Sequence, residues 1–144
     1  MTPISDLRYT RYREKINYIW QKLQSIPLSP KSELEKDGLL YGVQTVIEAA
    51  VDTIAMLVKD LGRDVKDDQT NLAQLQELNV ISSSLVEFFL NANGMRNILV
   101  HRYNGVNEEI IIEAIPTIIK NLNIWLDILE ENLNELYPPD SKKA

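Results

Sequence analysis

The chain has 144 residues, 44% apolar and 25% charged, enough for one domain with its own hydrophobic core. It has no cysteine, which excludes disulfides, thiolate chemistry and cysteine-held metals. A net charge of −6 argues against a broad, nonspecific nucleic-acid binder, but leaves room for a protein partner and for a site whose positive charge is local.

The opening Met1-Thr2-Pro3-Ile4-Ser5-Asp6 lacks the basic-then-apolar order of a signal peptide, and no apolar run reads as long enough to span a bilayer. The expectation is a cytoplasmic protein without a membrane segment. Tyr9, Tyr12, Ile16, Ile19, Leu23 and Ile26 recur at spacings of three and four and predict a first helix from about Ser5 to Ile26, ended by Pro27 and Pro30. Tyr9, Tyr12 and Tyr18 have a base-stacking reading, but aromatic packing is the preferred one. Arg8, Arg11, Arg13 and Lys15 make the segment basic, and the expectation is that it extends the local positive charge of Arg96, His101 and Arg102.

A second helix is expected from Ser32, where Ser32-x-x-Glu35 fits a capping box, to Leu61, with Gly62 as its C-terminal cap. Val43, Val46, Ile47, Ala50, Ile54, Leu57, Val58 and Leu61 form its buried stripe. Gly38 and Gly42 either weaken the first turns or admit a close neighbour. Asp52 interrupts the stripe, as a site acid or as a solvated carboxylate. Arg63 to Thr70 reads as a polar loop and Asn71 to Leu78 as a short helix. Ser82-Ser83-Ser84 with Glu87 offers another capping box, opening a helix through Leu85, Phe88, Phe89 and Ala92 towards Gly94. Asn91 and Asn93 either line a site or are exposed helix-end polar residues.

Asn104-Gly105 is a strong turn signal. Asn107 then caps a last helix opening with Glu108 and Glu109, kinked or split at Pro116 and running to Tyr137 before Pro138-Pro139. Ile110, Ile111, Ile112 and Ile115 exceed one face, as burial on two sides at a dimer interface requires. The fold class is therefore all-α: an up-and-down bundle of four to five helices over residues 1–137, with a frayed tail over 138–144.

The chemistry concentrates in Gly94-Met95-Arg96-Asn97-Ile98-Leu99-Val100-His101-Arg102-Tyr103, which holds the only histidine. Histidine exchanges protons near neutrality, arginine presents a charged fork that matches phosphate, and asparagine bonds phosphate, ribose or base. The set suits attack of a ribose hydroxyl on the neighbouring phosphodiester, which needs proton transfer and charge stabilisation. At about 100° per residue, Asn97 and His101 share a helix face, while Arg96 and Tyr103 share another. One straight helix cannot close all four on one phosphate, so it must bend, with Gly94 the candidate break, or a second copy must contribute.

No Glu-x-x-His of a di-iron bundle is present, because Ile98 stands three before His101, and no metal spacing, P-loop or dinucleotide glycine pattern appears. No nucleophile elbow supports a serine hydrolase. The bland alternatives are a buried structural His101, a surface ion pair for Arg96, and a core aromatic for Tyr103.

The run from Gly94 to His101 resembles the G-F-R-N-x-L-V-H run of the HepT-like toxins of the HEPN superfamily, which pair with a minimal nucleotidyltransferase (MNT) antitoxin; Met95 replaces the usual aromatic. Arg96 to Tyr103 matches the family's R-x4-H-x-Y signature. Val46 to Gly62 is similar to its second long helix, so the resemblance runs from about Ser32 to the last helix. It implies a HEPN-like bundle and a metal-independent endoribonuclease toxin without a cofactor. Arg96 and His101 would be the catalytic pair, and Asn97 and Arg102 would position the RNA. Because one histidine cannot be both base and acid, a homodimer would join two motifs in one composite cleft. Tyr103 matches the tyrosine to which the MNT partner transfers AMP. Two other readings stand beside it: a non-catalytic HEPN nucleotide-binding or partner subunit of a nucleotidyltransferase, and a structural helical dimer without a site.

Overall fold

The periodic apolar positions resolve into five helices in the computed structural model, which describes residues 2–101 and 108–139. They are α1 (Asp6–Ser25), α2 (Glu33–Asp60), α3 (Asp68–Glu77), α4 (Ser83–Val100) and α5 (Glu108–Leu136). The described residues contain no strand, and the fold is an all-α bundle.

Helix ends follow local hydrogen-bonding chemistry. Ser5, Ser32, Asp67 and Ser82 each accept the backbone N–H three residues on, which satisfies a donor that the first helical turn leaves open. Two of these starts differ from expectation. α3 begins at Asp68, inside the expected loop, because Asp67 caps it through Thr70 N–H at 2.7 Å. α4 is capped by Ser82 through Leu85, so Glu87 lies two residues beyond the place a capping box requires. At α2 the Glu35 carboxylate reaches Lys31 N–H (3.3 Å), one residue before the cap.

Gly62 ends α2 as expected, at φ 85°, with its own N–H on Lys59 O and Arg63 N–H on Val58 O. The same two-bond arrangement closes α3, with Asn79 at φ 61° taking the glycine's place. Asparagine tolerates this left-handed backbone better than most residues.

Contacts along the helices set their directions. Arg8–Asp60 and Lys15–Asp52 pair α1 antiparallel with α2. Lys36 faces Glu108 and Glu109 at one end, and Trp125 donates to Thr53 at 2.9 Å further along, so α5 runs parallel to α2. Phe89 meets Trp125 edge-on at 6.0 Å, while Gly94 and Ile98, further along α4, line a groove with Ile110 near the start of α5, so α4 runs antiparallel to both. Four long helices thus run up and down. The short α3 lies in the α2–α4 connection, where the buried Asn71 amide closes on both the N–H and the carbonyl of Lys66.

α2 packs against each of the other four helices. By length and composition it would suffice to cross a membrane, contrary to the expectation above, yet half of its most apolar window is buried inside the bundle. Its buried residues share one core with Ile19, Phe89, Leu122 and Trp125. Gly42 is buried, and a Cβ there would meet Ile26 at an ordinary 3.8 Å, whereas one at Gly38 would meet nothing within 4 Å.

Pro116 does not split α5, which is one element from Glu108 to Leu136. The proline deletes one helical donor, but it sits on the exposed side, where water can serve the carbonyl left open. The expected tail over 138–144 lies outside the described residues from Asp140 onwards.

Candidate active site

α4 continues through Gly94 as one helix to Val100, so the expected break at that glycine does not occur. The residues on both sides keep their apolar contacts: Ala92 and Leu99 are buried and Met95 packs on the core. One continuous helix therefore delivers Arg96 and Asn97 in its last two turns and His101 as its C-terminal cap. The His101 N–H lies on Ile98 O and Leu99 O.

Arg96 is half-buried, while Asn97 and His101 are exposed. The bland expectation of a buried structural histidine is thus not met. The Arg96 Nη2 donates to Asn97 Oδ1 at 3.3 Å, and its Nε is buried with no hydrogen-bond partner among the described residues. No carboxylate pairs with Arg96 among the described residues, so its positive charge is not spent on a surface ion pair. The structure brings Arg96, Asn97 and His101 to one helix end. Arg102, Tyr103 and the Asn104-Gly105 turn lie outside the described residues, as does Asn107.

The basic segment of α1 does not extend this charge as expected. Arg8 pairs with Asp60 at 2.8 Å, Arg13 with Glu130 and Lys15 with Asp52, so three of the four cations close helix seams, while Arg11 stays exposed. Asp52 is correspondingly a solvated carboxylate facing α1. Two of the three tyrosines pack: Tyr9 stacks on Tyr137 at 4.1 Å, and Tyr12 is buried with its hydroxyl on Asp60, while Tyr18 stays 39% exposed with its hydroxyl on Thr45. Burial first, and then the Asp60 acceptor, raise the Tyr12 pKa far above the ordinary value and keep it protonated.

Beside the motif lies an apolar groove of about 560 Å³ between α4 and α5, lined by Leu90, Asn91, Gly94, Met95, Ile98 and Ile110, with Ile111 at its base. Ile111 and Ile115 enter the core, while Ile110 is 60% exposed, Ile98 49% and Leu90 40%. Of the run of isoleucines, Ile111 and Ile115 point inward and Ile110 into this groove, while Ile112 packs partly buried against the core on the side of Lys36 and Glu109. Ile98 and His101, three apart, are neighbours on the helix surface, so the groove meets the polar site. Asn91 lines the groove. Asn93 instead faces α3, its Nδ2 3.4 Å from Asp68 Oδ2, a contact that no spacing in the sequence signals. Among the described residues no three His, Asp or Glu side chains gather as metal ligands.

The profile of the family described as "Ribonuclease HepT-like" matches residues 12–136. An Archaeoglobus fulgidus protein named "Putative RNase" is 41% identical over 132 residues, covering 92% of this chain and all of that one. A second A. fulgidus protein of the same name is 38% identical over 102 residues, covering 70% and 77%. A solved structure described as "Crystal structure of the toxin-antitoxin with AMP-PNP" superposes with a TM-score of 0.71 at 18% identity, covering 88% of this chain and 99% of that one. At that identity the likeness is one of fold.

Proposed function

The chain belongs to the HepT-like ribonuclease family, and we propose that it is the endoribonuclease toxin of a HEPN/MNT toxin–antitoxin pair, cutting RNA without a metal at a site shared by two copies. One observation carries the reading: an Arg96 guanidinium with no carboxylate partner among the described residues and an exposed His101 stand together at the end of α4, beside an open apolar groove. Ribonuclease chemistry of this kind needs a phosphate clamp and two proton-transfer groups, and each chain offers one histidine.

The steps follow from those groups. His101 of one copy takes the proton of the ribose 2′-hydroxyl, and the 2′-oxygen attacks phosphorus. The bond from phosphorus to the 5′-oxygen breaks, and His101 of the second copy gives that oxygen a proton. The two Arg96 side chains hold the non-bridging oxygens, where charge builds up in the transition state. The products are a 2′,3′-cyclic phosphate and a 5′-hydroxyl. Asn97 and Arg102 position the strand. Exposed Leu90, Ile98 and Ile110 support the homodimer, because a second copy would remove their apolar surface from water. Tyr103 is the acceptor of AMP from an MNT-type nucleotidyltransferase antitoxin, and the added nucleotide would occupy the cleft and compete for Arg96.

The test is RNA cleavage in EDTA by the wild-type chain and by His101→Ala. Cleavage by wild type alone, leaving 2′,3′-cyclic phosphate ends, is the expected result. No cleavage across a broad RNA pool would overturn the nuclease and leave the nucleotide-binding partner subunit as the better reading.

A further inference from the structure

Two buried polar atoms near the motif lack partners among the described residues: the Arg96 Nε, a donor, and the Asn93 Oδ1, an acceptor. Leaving either unpaired forfeits its solvation without return, and one hydrogen bond between them would satisfy both. They lie three residues apart on α4, neighbours on the helix surface. Helical side chains lean towards the N-terminus, so Arg96 extends over the turn that carries Asn93.

The Asn93 amide is already oriented from its other side. Its Nδ2 faces Asp68 Oδ2 at 3.4 Å, across the α3–α4 seam. A carboxylate accepts and cannot donate, so the amide nitrogen must face Asp68 and Oδ1 must turn away from it. Asp68 is the first residue of α3, placed there by the Asp67 cap. The short helix that interrupts the four-helix plan therefore bears on the motif.

We propose that Asn93, oriented by Asp68, is a positioning residue for Arg96: a small turn of the two side chains from the unbonded arrangement of this structure lets its Oδ1 accept from the Arg96 Nε and turns the Nη1–Nη2 edge of the guanidinium towards the RNA phosphate. In that arrangement the Nε edge is anchored in the seam and the outer edge rests on Asn97 until substrate arrives. The fork is thereby aligned before binding, which is where an arginine surpasses a lysine. The role assigned to the anchored arginine rests on the nuclease reading; the anchor itself does not.

Two readouts test it. In ¹H–¹⁵N spectra the Arg96 Nε–H resonance, identified by its loss in Arg96→Lys, should exchange slowly with solvent in the wild type and lose that protection in Asn93→Leu. The exchanged pair D68N/N93D reverses the donor and acceptor across the seam and should restore it. In the cleavage assay, Asn93→Leu should lower kcat by about ten- to a hundredfold, with no further loss when placed on Arg96→Lys, which has no Nε–H. Protection that survives Asn93→Leu, or an equal loss of kcat in both backgrounds, would overturn the proposal. If the wild type cuts no RNA the nuclease reading falls, and the Nε–H exchange still decides the anchor.

Discussion

Arg96 donates from Nη2 to the Oδ1 of Asn97, its neighbour in the chain, at 3.3 Å. Adjacent helical residues point about 100° apart, so only a long side chain folded along the surface makes this contact. A neutral amide holds the guanidinium without cancelling its charge and releases it to a phosphate, the stronger acceptor. Asn97→Ala should therefore lower kcat/KM for RNA moderately, by about tenfold, or about 1.4 kcal/mol. Asn97→Asp should cost more, because a carboxylate in the same place would pair with Arg96 and repel the substrate. A rate for Asn97→Asp equal to or above that of Asn97→Ala would show that the contact does not restrain Arg96.

The groove between α4 and α5 makes a separate prediction. Ile98 is half exposed there, and if a second copy covers this groove as proposed, Ile98→Glu would set a charge in the dried interface. Sedimentation should show monomer at concentrations where the wild type is dimeric, and cleavage should fall with it. Gly94→Ala should separate fold from assembly. A Cβ at Gly94 meets nothing within 4 Å in the single chain, so the monomer should gain about 0.5–1 kcal/mol from helix propensity. The same methyl intrudes on a partner seated in the groove. Higher stability with weaker dimerisation is expected, and unchanged dimerisation would place the interface elsewhere.

Tyr103 should behave as a control point. Tyr103→Phe keeps the ring and removes the hydroxyl that would receive AMP, so cleavage should persist while a nucleotidyltransferase partner loses its grip. Transfer of labelled AMP to wild type and not to Tyr103→Phe checks this directly. Labelling that persists in the variant would move the acceptor to another residue.

The helices were legible because their causes are local. The three-and-four spacing of Tyr12, Ile16, Ile19 and Leu23, the serine caps at Ser5 and Ser32, and the left-handed Gly62 can each be read without knowing the neighbours. What misled were residues whose effect depends on tertiary packing. Gly94 reads as a break, but contacts of Ala92, Met95 and Leu99 with the core carry the helix through it. Pro116 reads as a division, but its exposed face makes the missing bond tolerable. The cations of α1 looked available because Asp60, Asp52 and Glu130 are distant in the chain. The motif itself was visible by spacing, and the Asp68–Asn93 contact was not, since it joins two helices through a turn whose geometry depends on Asn71 and Asn79.

The cap of α3 supplies a prediction in pH. The Thr70 side chain and then its backbone N–H hold the Asp67 carboxyl below its ordinary value of 3.8. A carboxyl that is more acidic when folded binds its proton more readily when unfolded, so it stabilises the folded state above the ordinary value. That contribution is lost as pH falls through the lower folded value. Asp67→Asn keeps an oxygen for Thr70 N–H but cannot titrate. Its acid-unfolding profile should be flatter than the wild type's below about pH 4, with little change in stability near neutrality. Hydrogen exchange at Asn71 and Leu72 in α3 should report the same difference locally, because those amides depend on the first turn. Superimposable profiles for the two proteins over this range would mean that the carboxylate charge at position 67 contributes nothing to the cap.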